Sequence, residues 1–274
     1  MRTTAVVFPF DLFGNSGTGA GAQLLGDALR EILADNKRET RPTRCDAYRN
    51  LVRVKEVSFE TPEAIADWRK LGRHAVRALR KANDFGLWFA GNHLGVLPIY
   101  EELGADAADT TLVIQFDAHL DVYQLHDVTE HPANGNFLLH TEGPLPTIVN
   151  VGHRDLFLPE PEIHETFAAA FSAEQVMADM PSVAAQVREF AMAAERVWID
   201  LDVDVFDPAY APAVHQPLPF GLSPMQFLTL LNAAWAGNVI GLSISEYDPG
   251  RDVRDTTLNL LGWLTEWILL KRHE

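Results

Sequence analysis

Leu112-Val113-Ile114-Gln115-Phe116 runs straight into Asp117-Ala118-His119-Leu120-Asp121, an apolar, β-like segment followed by three ionisable side chains at alternate positions. A second stretch, Val197-Trp198-Ile199-Asp200-Leu201-Asp202-Val203-Asp204, repeats the pattern with aspartates alone. On a strand, residues i, i+2 and i+4 project from one face, roughly 6.6 Å apart per step. Asp117, His119 and Asp121 are therefore expected on one side, and Asp200, Asp202 and Asp204 on one side of the other strand. Carboxylates stacked this closely repel one another unless cations sit between them. A site for more than one metal ion is the first expectation.

Working outward, strand-like runs at residues 4–10, 85–90, 112–116, 147–151, 197–203 and 239–244 alternate with helical patterns at about 23–34, 61–82, 182–194, 223–235 and 256–270. Thr61 stands where a helix N-cap is wanted. Strand–helix alternation predicts the α/β class, a three-layer αβα arrangement around a mostly parallel sheet. No repeat, low-complexity stretch or linker divides the chain, so residues 1–274 read as one domain.

Four of the runs finish in polar clusters. Residues 85–90 lead into Gly91-Asn92-His93, 112–116 into Asp117, His119 and Asp121, 197–203 carry Asp202 and reach Asp204, and the run from Val239 ends at Glu246. Open parallel sheets bind ligands at the carboxyl ends of their strands. The four clusters should meet at one rim.

The bulk numbers narrow the partners. Hydrophobic content of 47% and charged content of 22% over 274 residues are those of a globular protein. A formal charge of −16 argues against nucleic acid or an anionic membrane surface. The single cysteine, Cys45, rules out an internal disulfide and suits a reducing, cytoplasmic setting. The apolar run after Met1 is broken by Pro9 and closed by Asp11, too short for a secretory signal. Thr265 and Glu266 interrupt the last apolar stretch, which leaves no membrane span. Oxygen and nitrogen donors without a thiolate suit Mn²⁺ better than structural zinc. Paired ions about 3.5–4 Å apart convert bound water to hydroxide near neutrality.

In order and spacing, Gly91-Asn92-His93, Asp117-Ala118-His119-Leu120-Asp121, Asp202-Val203-Asp204-Val205-Phe206-Asp207-Pro208 and Glu246-Tyr247-Asp248-Pro249 resemble the motifs of the arginase/agmatinase (ureohydrolase) family. Pro219-Phe220-Gly221-Leu222-Ser223 is a weaker match, and the resemblance runs from the first strand to the last helix. It implies an arginase-like fold with two Mn²⁺ per chain. One would be held by His93, Asp117, Asp121 and Asp202, the other by His119, Asp117, Asp202 and Asp204. It further implies hydroxide attack on a guanidinium carbon, releasing urea and an amine. Asp121 would orient the nucleophile and help move its proton, and Glu246 would anchor the cationic guanidinium. The leaving amine needs a proton. His131, fourteen residues after Asp117, has a spacing that resembles the agmatinase-like branch, with His126 and His140 as competitors. The resemblance also implies a homo-oligomer, trimer or hexamer.

The chain departs from the family pattern at several points. Asn92 replaces an aspartate and Leu94 a serine, Asp200 stands where a small hydroxyl residue is common, and Asp207 is expected in a turn or behind the ligands. Leu156 and Phe157 follow Arg154-Asp155 where arginases place a further aspartate; Asn134-Gly135-Asn136 is a loose echo of their α-carboxylate loop, and Ala213-Val214-His215 replaces a glycine-rich stretch. An agmatine-like amine or a guanidino acid is therefore expected over arginine. One alternative is a formimidoyl substrate such as formiminoglutamate, releasing formamide, for which Arg154 is the one obvious basic contact. Another is a non-catalytic metal-binding relative acting through protein association.

Overall fold

A computed structural model of the chain describes residues 1–124 and 130–274. Its strands are β1 (Thr3–Phe8), β2 (Val52–Glu56), β3 (Phe85–Ala90), β4 (Thr111–Phe116), β5 (Thr147–His153), β6 (Ala169–Ser172), β7 (Arg196–Asp202) and β8 (Val239–Ser245). They form one sheet in the order β2-β1-β3-β8-β7-β4-β5-β6, with every pairing parallel. The two edge strands, β2 and β6, were not anticipated from the sequence. Val52-Arg53-Val54-Lys55-Glu56 alternates apolar and charged residues, and β6 has only four residues. Neither has the continuous apolar run of a strand buried on both faces.

Alternate side chains of each central strand feed opposite cores, which makes the assembly three-layered. Ala5, Val7, Leu87 and Phe89 pack with Leu25, Leu29, Phe227, Leu230 and Ile268, from helices Thr18–Arg38, Pro224–Ala234 and Thr256–His273. Val6, Phe8, Trp88 and Ala90 pack with Val76, Leu79, Ile99 and Leu103, from helices Trp68–Ala82 and Leu97–Ala107. The αβα expectation and the parallel sheet both hold.

Several helices differ from the sequence patterns, among them the short, unanticipated Glu160–Thr166 and Ala173–Ala178. Helix Thr18–Arg38 begins inside the glycine-rich stretch 14–21, ahead of the expected 23–34 pattern. A Cβ at Gly21 would lie 1.9 Å from the Tyr247 carbonyl oxygen, so glycine is what lets the first turns press against the chain beyond β8. The expected 61–82 helix is two, Pro62–Ala66 and Trp68–Ala82, broken at Asp67; Thr61 does cap the first, its Oγ1 accepting the Ala64 N–H at 3.2 Å. Helix Leu97–Ala107 went unseen because Leu97 through Gly104 are all buried, and a helix covered all round has no apolar stripe to reveal it. Among the described residues, no helix is long and apolar enough to cross a membrane.

Candidate metal centre and active site

β3, β8, β7 and β4 are consecutive in the sheet, so the four polar clusters meet at one carboxyl rim as expected. The local geometry departs from the strand picture. β4 ends at Phe116, and residues 117–121 form a turn in which Asp117 Oδ1 accepts the His119 N–H at 2.7 Å. Asp121 takes left-handed backbone, φ 51°. β7 ends at Asp202, and Asp204 lies in the tight turn Val203–Val205, its N–H donated to Asp202 Oδ1 at 2.9 Å. Aspartate-capped turns, rather than strand alternation, therefore aim His119, Asp121 and Asp204.

His93 opens the turn after β3. Gly91 sits so close to Phe10 that a Cβ would come within 2.2 Å of its carbonyl oxygen. From there the Gly91 carbonyl accepts the Glu246 N–H at 2.9 Å, which ties the ends of β3 and β8 together. Glu246 itself has φ 68°. Its Oε1 accepts the His93 N–H at 2.7 Å and its Oε2 accepts Asn15 Nδ2–H at 2.8 Å.

His93 Nδ1 lies 2.7 Å from Asp121 Oδ2, 3.1 Å from Asp202 Oδ2 and 3.2 Å from Asp117 Oδ2. His119 Nδ1 is 3.0 Å from Asp204 Oδ2 and 3.7 Å from Asp117 Oδ1. Two groups thus have ligand atoms within 4.8 Å of one another, His93–Asp117–Asp202 and Asp117–His119–Asp204, and they share Asp117. His93 Nδ1, Asp117 Oδ2 and Asp121 Oδ2 are buried, crowded together and without a hydrogen bond. Buried polar atoms are rarely left so. A divalent cation fits them: hard and borderline donors, converging, with an excess of negative charge.

The electrostatics agree. Burial pushes Asp121 up to about 7, with the Asp117 charge adding to it, and burial pushes Glu246 up to about 8. Burial and the neighbouring Asp204 raise Asp202 well above the carboxylate range. Burial opposes the charge on Asp117, but the neighbouring His119 and His93 outweigh it and hold Asp117 low. Burial likewise opposes protonation of His119, yet Asp204 and Asp117 drive it up to about 12. Without a cation Asp121, Asp202, Glu246 and His119 retain protons they would otherwise lose.

A cavity of about 200 Å³ opens onto the cluster, floored by His93, His119, Asp121, Asp202, Asp204 and Glu246. Its walls include Asn15, Tyr123, Asn134, Asn136 and Gln216. The Asn134-Gly135-Asn136 echo therefore does reach the site. Asn15, Tyr123 and Gln216 were missed by sequence reasoning; Asn15 follows the carboxyl end of β1, and the strand-end rule could have flagged it. His131 is exposed and is not among the lining residues; its carbonyl accepts Asn136 Nδ2–H at 3.1 Å. The His140 carbonyl accepts from Arg69 at 2.6 Å. His126 lies outside the described residues.

The remaining departures sort themselves by contact. Asn92 is buried and donates to the Leu12 carbonyl at 3.3 Å. Asp207 makes a turn, accepting the Ala209 and Gly221 N–H groups at 3.0 and 3.1 Å. Leu156 and Phe157 are exposed and away from the cavity. Arg154 is not at the cavity mouth. Its guanidinium donates to the carbonyls of Gly152, Asp204, Val205 and Leu218 at 2.7–3.1 Å and braces the Asp204 turn from behind.

An acid-rich, thiol-free rim at the carboxyl ends of a parallel sheet is the type of site at which enzymes hold divalent cations. The chain belongs to the arginase family, whose sequence pattern matches residues 3–269 and whose members are ureohydrolases acting on C–N bonds of guanidino compounds. It is 27% identical over 262 residues to an agmatinase from Proteus mirabilis, covering 93% of this chain and 81% of the relative. Solved structures share the fold. An arginase from Bacillus subtilis superposes with TM-score 0.78 at 19% identity, covering 98% of both chains. A formimidoylglutamase from Bacillus subtilis gives 0.78 at 21% identity, covering 98% of this chain and 85% of its own.

Proposed function

We propose that the protein is a binuclear manganese ureohydrolase that cleaves an agmatine-like guanidino compound to urea and an amine. The observation that carries this is the charge of the cavity: carboxylates and histidines on the floor, neutral amides and a phenol on the walls. No lysine or arginine is among the described residues lining it. Such a pocket favours a cationic head and does not welcome an anionic tail. With Arg154 committed to backbone carbonyls, the formimidoyl alternative loses its one basic contact.

His93, Asp117, Asp121 and Asp202 would hold one ion, and His119, Asp117, Asp202 and Asp204 the other. When bound, the ions supply a water acidic enough to attack near neutral pH and positive charge to offset that developing on the substrate. Glu246, fixed by two donors, offers its remaining lone pairs to guanidinium N–H groups. Asp121 orients the attacking water and takes up its proton. His131, two residues from cavity-lining Ala133, delivers a proton to the leaving amine. The same reading takes residues 1–274 as one catalytic unit in the cytoplasm, in keeping with the free Cys45. It also takes the protein as a homo-oligomer, trimer or hexamer. Exposed Leu156, Met177 and Phe220 around an open cleft of about 570 Å³ supply apolar surface for that association.

The test is a panel: Mn²⁺-loaded protein with agmatine, guanidinobutyrate, guanidinopropionate, arginine and formiminoglutamate, followed by urea and formamide assays. Urea from agmatine ahead of the acids is the expected result. Formamide from formiminoglutamate would favour the alternative substrate, and no product from any member would leave a non-catalytic metal-binding relative. His131→Asn is expected to lower kcat by roughly 10²–10⁴-fold with metal content unchanged, the range for lost general acid–base help. Unaltered kcat would move the proton-donor role to His126 or His140.

A further inference from the structure

Asp200 is fully buried inside β7, and no lysine or arginine is hydrogen-bonded to it among the described contacts. A buried carboxylate needs donors, and it has three. Ser243 Oγ–H reaches Oδ1 at 2.6 Å from the paired position on β8, and the Tyr100 hydroxyl reaches Oδ2 at 2.7 Å. The third is His93 Nε2, 3.0 Å from Oδ2.

The donors around Asp200 restrict the proton directions in this network. Trp198 Nε1–H can only donate, and it donates to Ser243 Oγ at 3.0 Å; the serine proton then has Asp200 Oδ1 at 2.6 Å as its nearer acceptor, with the Ile199 carbonyl at 3.4 Å. Two hydroxyls already donate to Asp200, and a hydrogen on His93 Nε2, 3.0 Å from Oδ2, would complete its set of donors. That leaves Nδ1 as the nitrogen facing Asp117, Asp121 and Asp202. Phe137 packs tilted against the His93 ring at 4.9 Å between centroids and edge-on against Tyr100 at 5.5 Å, which limits rotation of both.

We propose that Asp200 is a positioning residue that fixes the tautomer and orientation of His93 and thereby sets the affinity of the one ion His93 holds. The inference rests on the metal reading above. It goes beyond that reading by making the two ion sites unequal, because Asp200 touches His93 and has no contact with His119. A carboxylate behind a ligating histidine holds the ring in place and makes its free nitrogen a better donor. Asn92, beside the same histidine, supplies no charge, so Asp200 is the carboxylate that does so here.

The experiment is calorimetric titration of metal-stripped protein with Mn²⁺, resolving two binding steps. Asp200→Asn is expected to weaken one step by roughly 10–100-fold and leave the other in place. Tyr100→Phe, which keeps the Asp200–His93 contact, should move that step far less. Two unmoved steps in a folded Asp200→Asn protein would overturn the inference. Should that variant not fold, ¹⁵N spectra of the imidazoles in Zn²⁺-loaded wild-type protein decide the matter. A proton on His93 Nε2 supports it, and a proton on Nδ1 overturns it. A wild-type chain that takes up no Mn²⁺ would remove the metal reading and this inference with it, whereas normal uptake by both proteins would remove this inference alone.

Discussion

Asp117→Asn is expected to lower kcat/KM by about 10³-fold or more, with bound Mn²⁺ falling from two per chain toward none. Asp117 is the carboxylate common to both ligand groups, and one of its oxygens faces each histidine. Replacing an oxygen by an amide removes a charged ligand and places two donor hydrogens among groups that must stay bare for a cation. The loss corresponds to the several kcal/mol of charge stabilisation that metal ions lend to such transition states. Glu246→Gln provides the contrast. Glu246 is no part of either ligand group, so kcat/KM should fall steeply while elemental analysis still finds both ions. Full metal occupancy and near-normal turnover in Asp117→Asn would mean that the shared aspartate does not bridge anything.

The second large effect is on stability. Saturating Mn²⁺ should raise the Tm of stripped protein by on the order of 10 °C, since each ion bound at a thousandfold excess over its Kd adds about 4 kcal/mol. The increment should be greater near pH 8 than near pH 6. Burial raises Asp121 from 3.8 to about 7 and Glu246 from 4.5 to about 8. The folded, metal-free chain therefore holds more protons than the unfolded chain between roughly pH 4 and 8, and its stability declines as pH rises through that window. His119 acts in the same direction. Its folded value near 12 against 6.5 gives stability fully present below 6.5 and lost as pH climbs toward 12. Incoming metal displaces protons from Asp121 and His119, so uptake strengthens with pH and acidifies an unbuffered solution. A Tm increment that is equal at the two pH values, or larger near pH 6, would contradict this account.

Much of the fold was legible because the central strands are buried on both faces. Continuous apolar runs at β1, β3, β4, β5, β7 and β8 stand out against polar surroundings, and their carboxyl-end clusters pointed to a common rim. The edges β2 and β6 were hidden by short length or open faces, and helix Leu97–Ala107 by burial on every side. The clustered residues were legible for a chemical reason: carboxylates and imidazoles at the end of a buried strand have few uses besides binding or catalysis. Arg154 misled because a guanidinium near a pocket and one bracing a turn look the same in sequence; only its four carbonyl partners separate them.

By itself the sequence determined the layer architecture, the rim at which ionisable groups are concentrated and the donor types found there, because periodicity and residue chemistry are local properties. Only the tertiary structure decided that β3, β8, β7 and β4 are neighbours, that turns rather than strands aim His119, Asp121 and Asp204, and that Asn15 holds Glu246 while Asp200 stands behind His93. Those facts depend on contacts between segments up to 231 residues apart, as from Asn15 to Glu246. Parallel strand order and the direction of a buried proton are set when distant segments pack, and no local pattern encodes them.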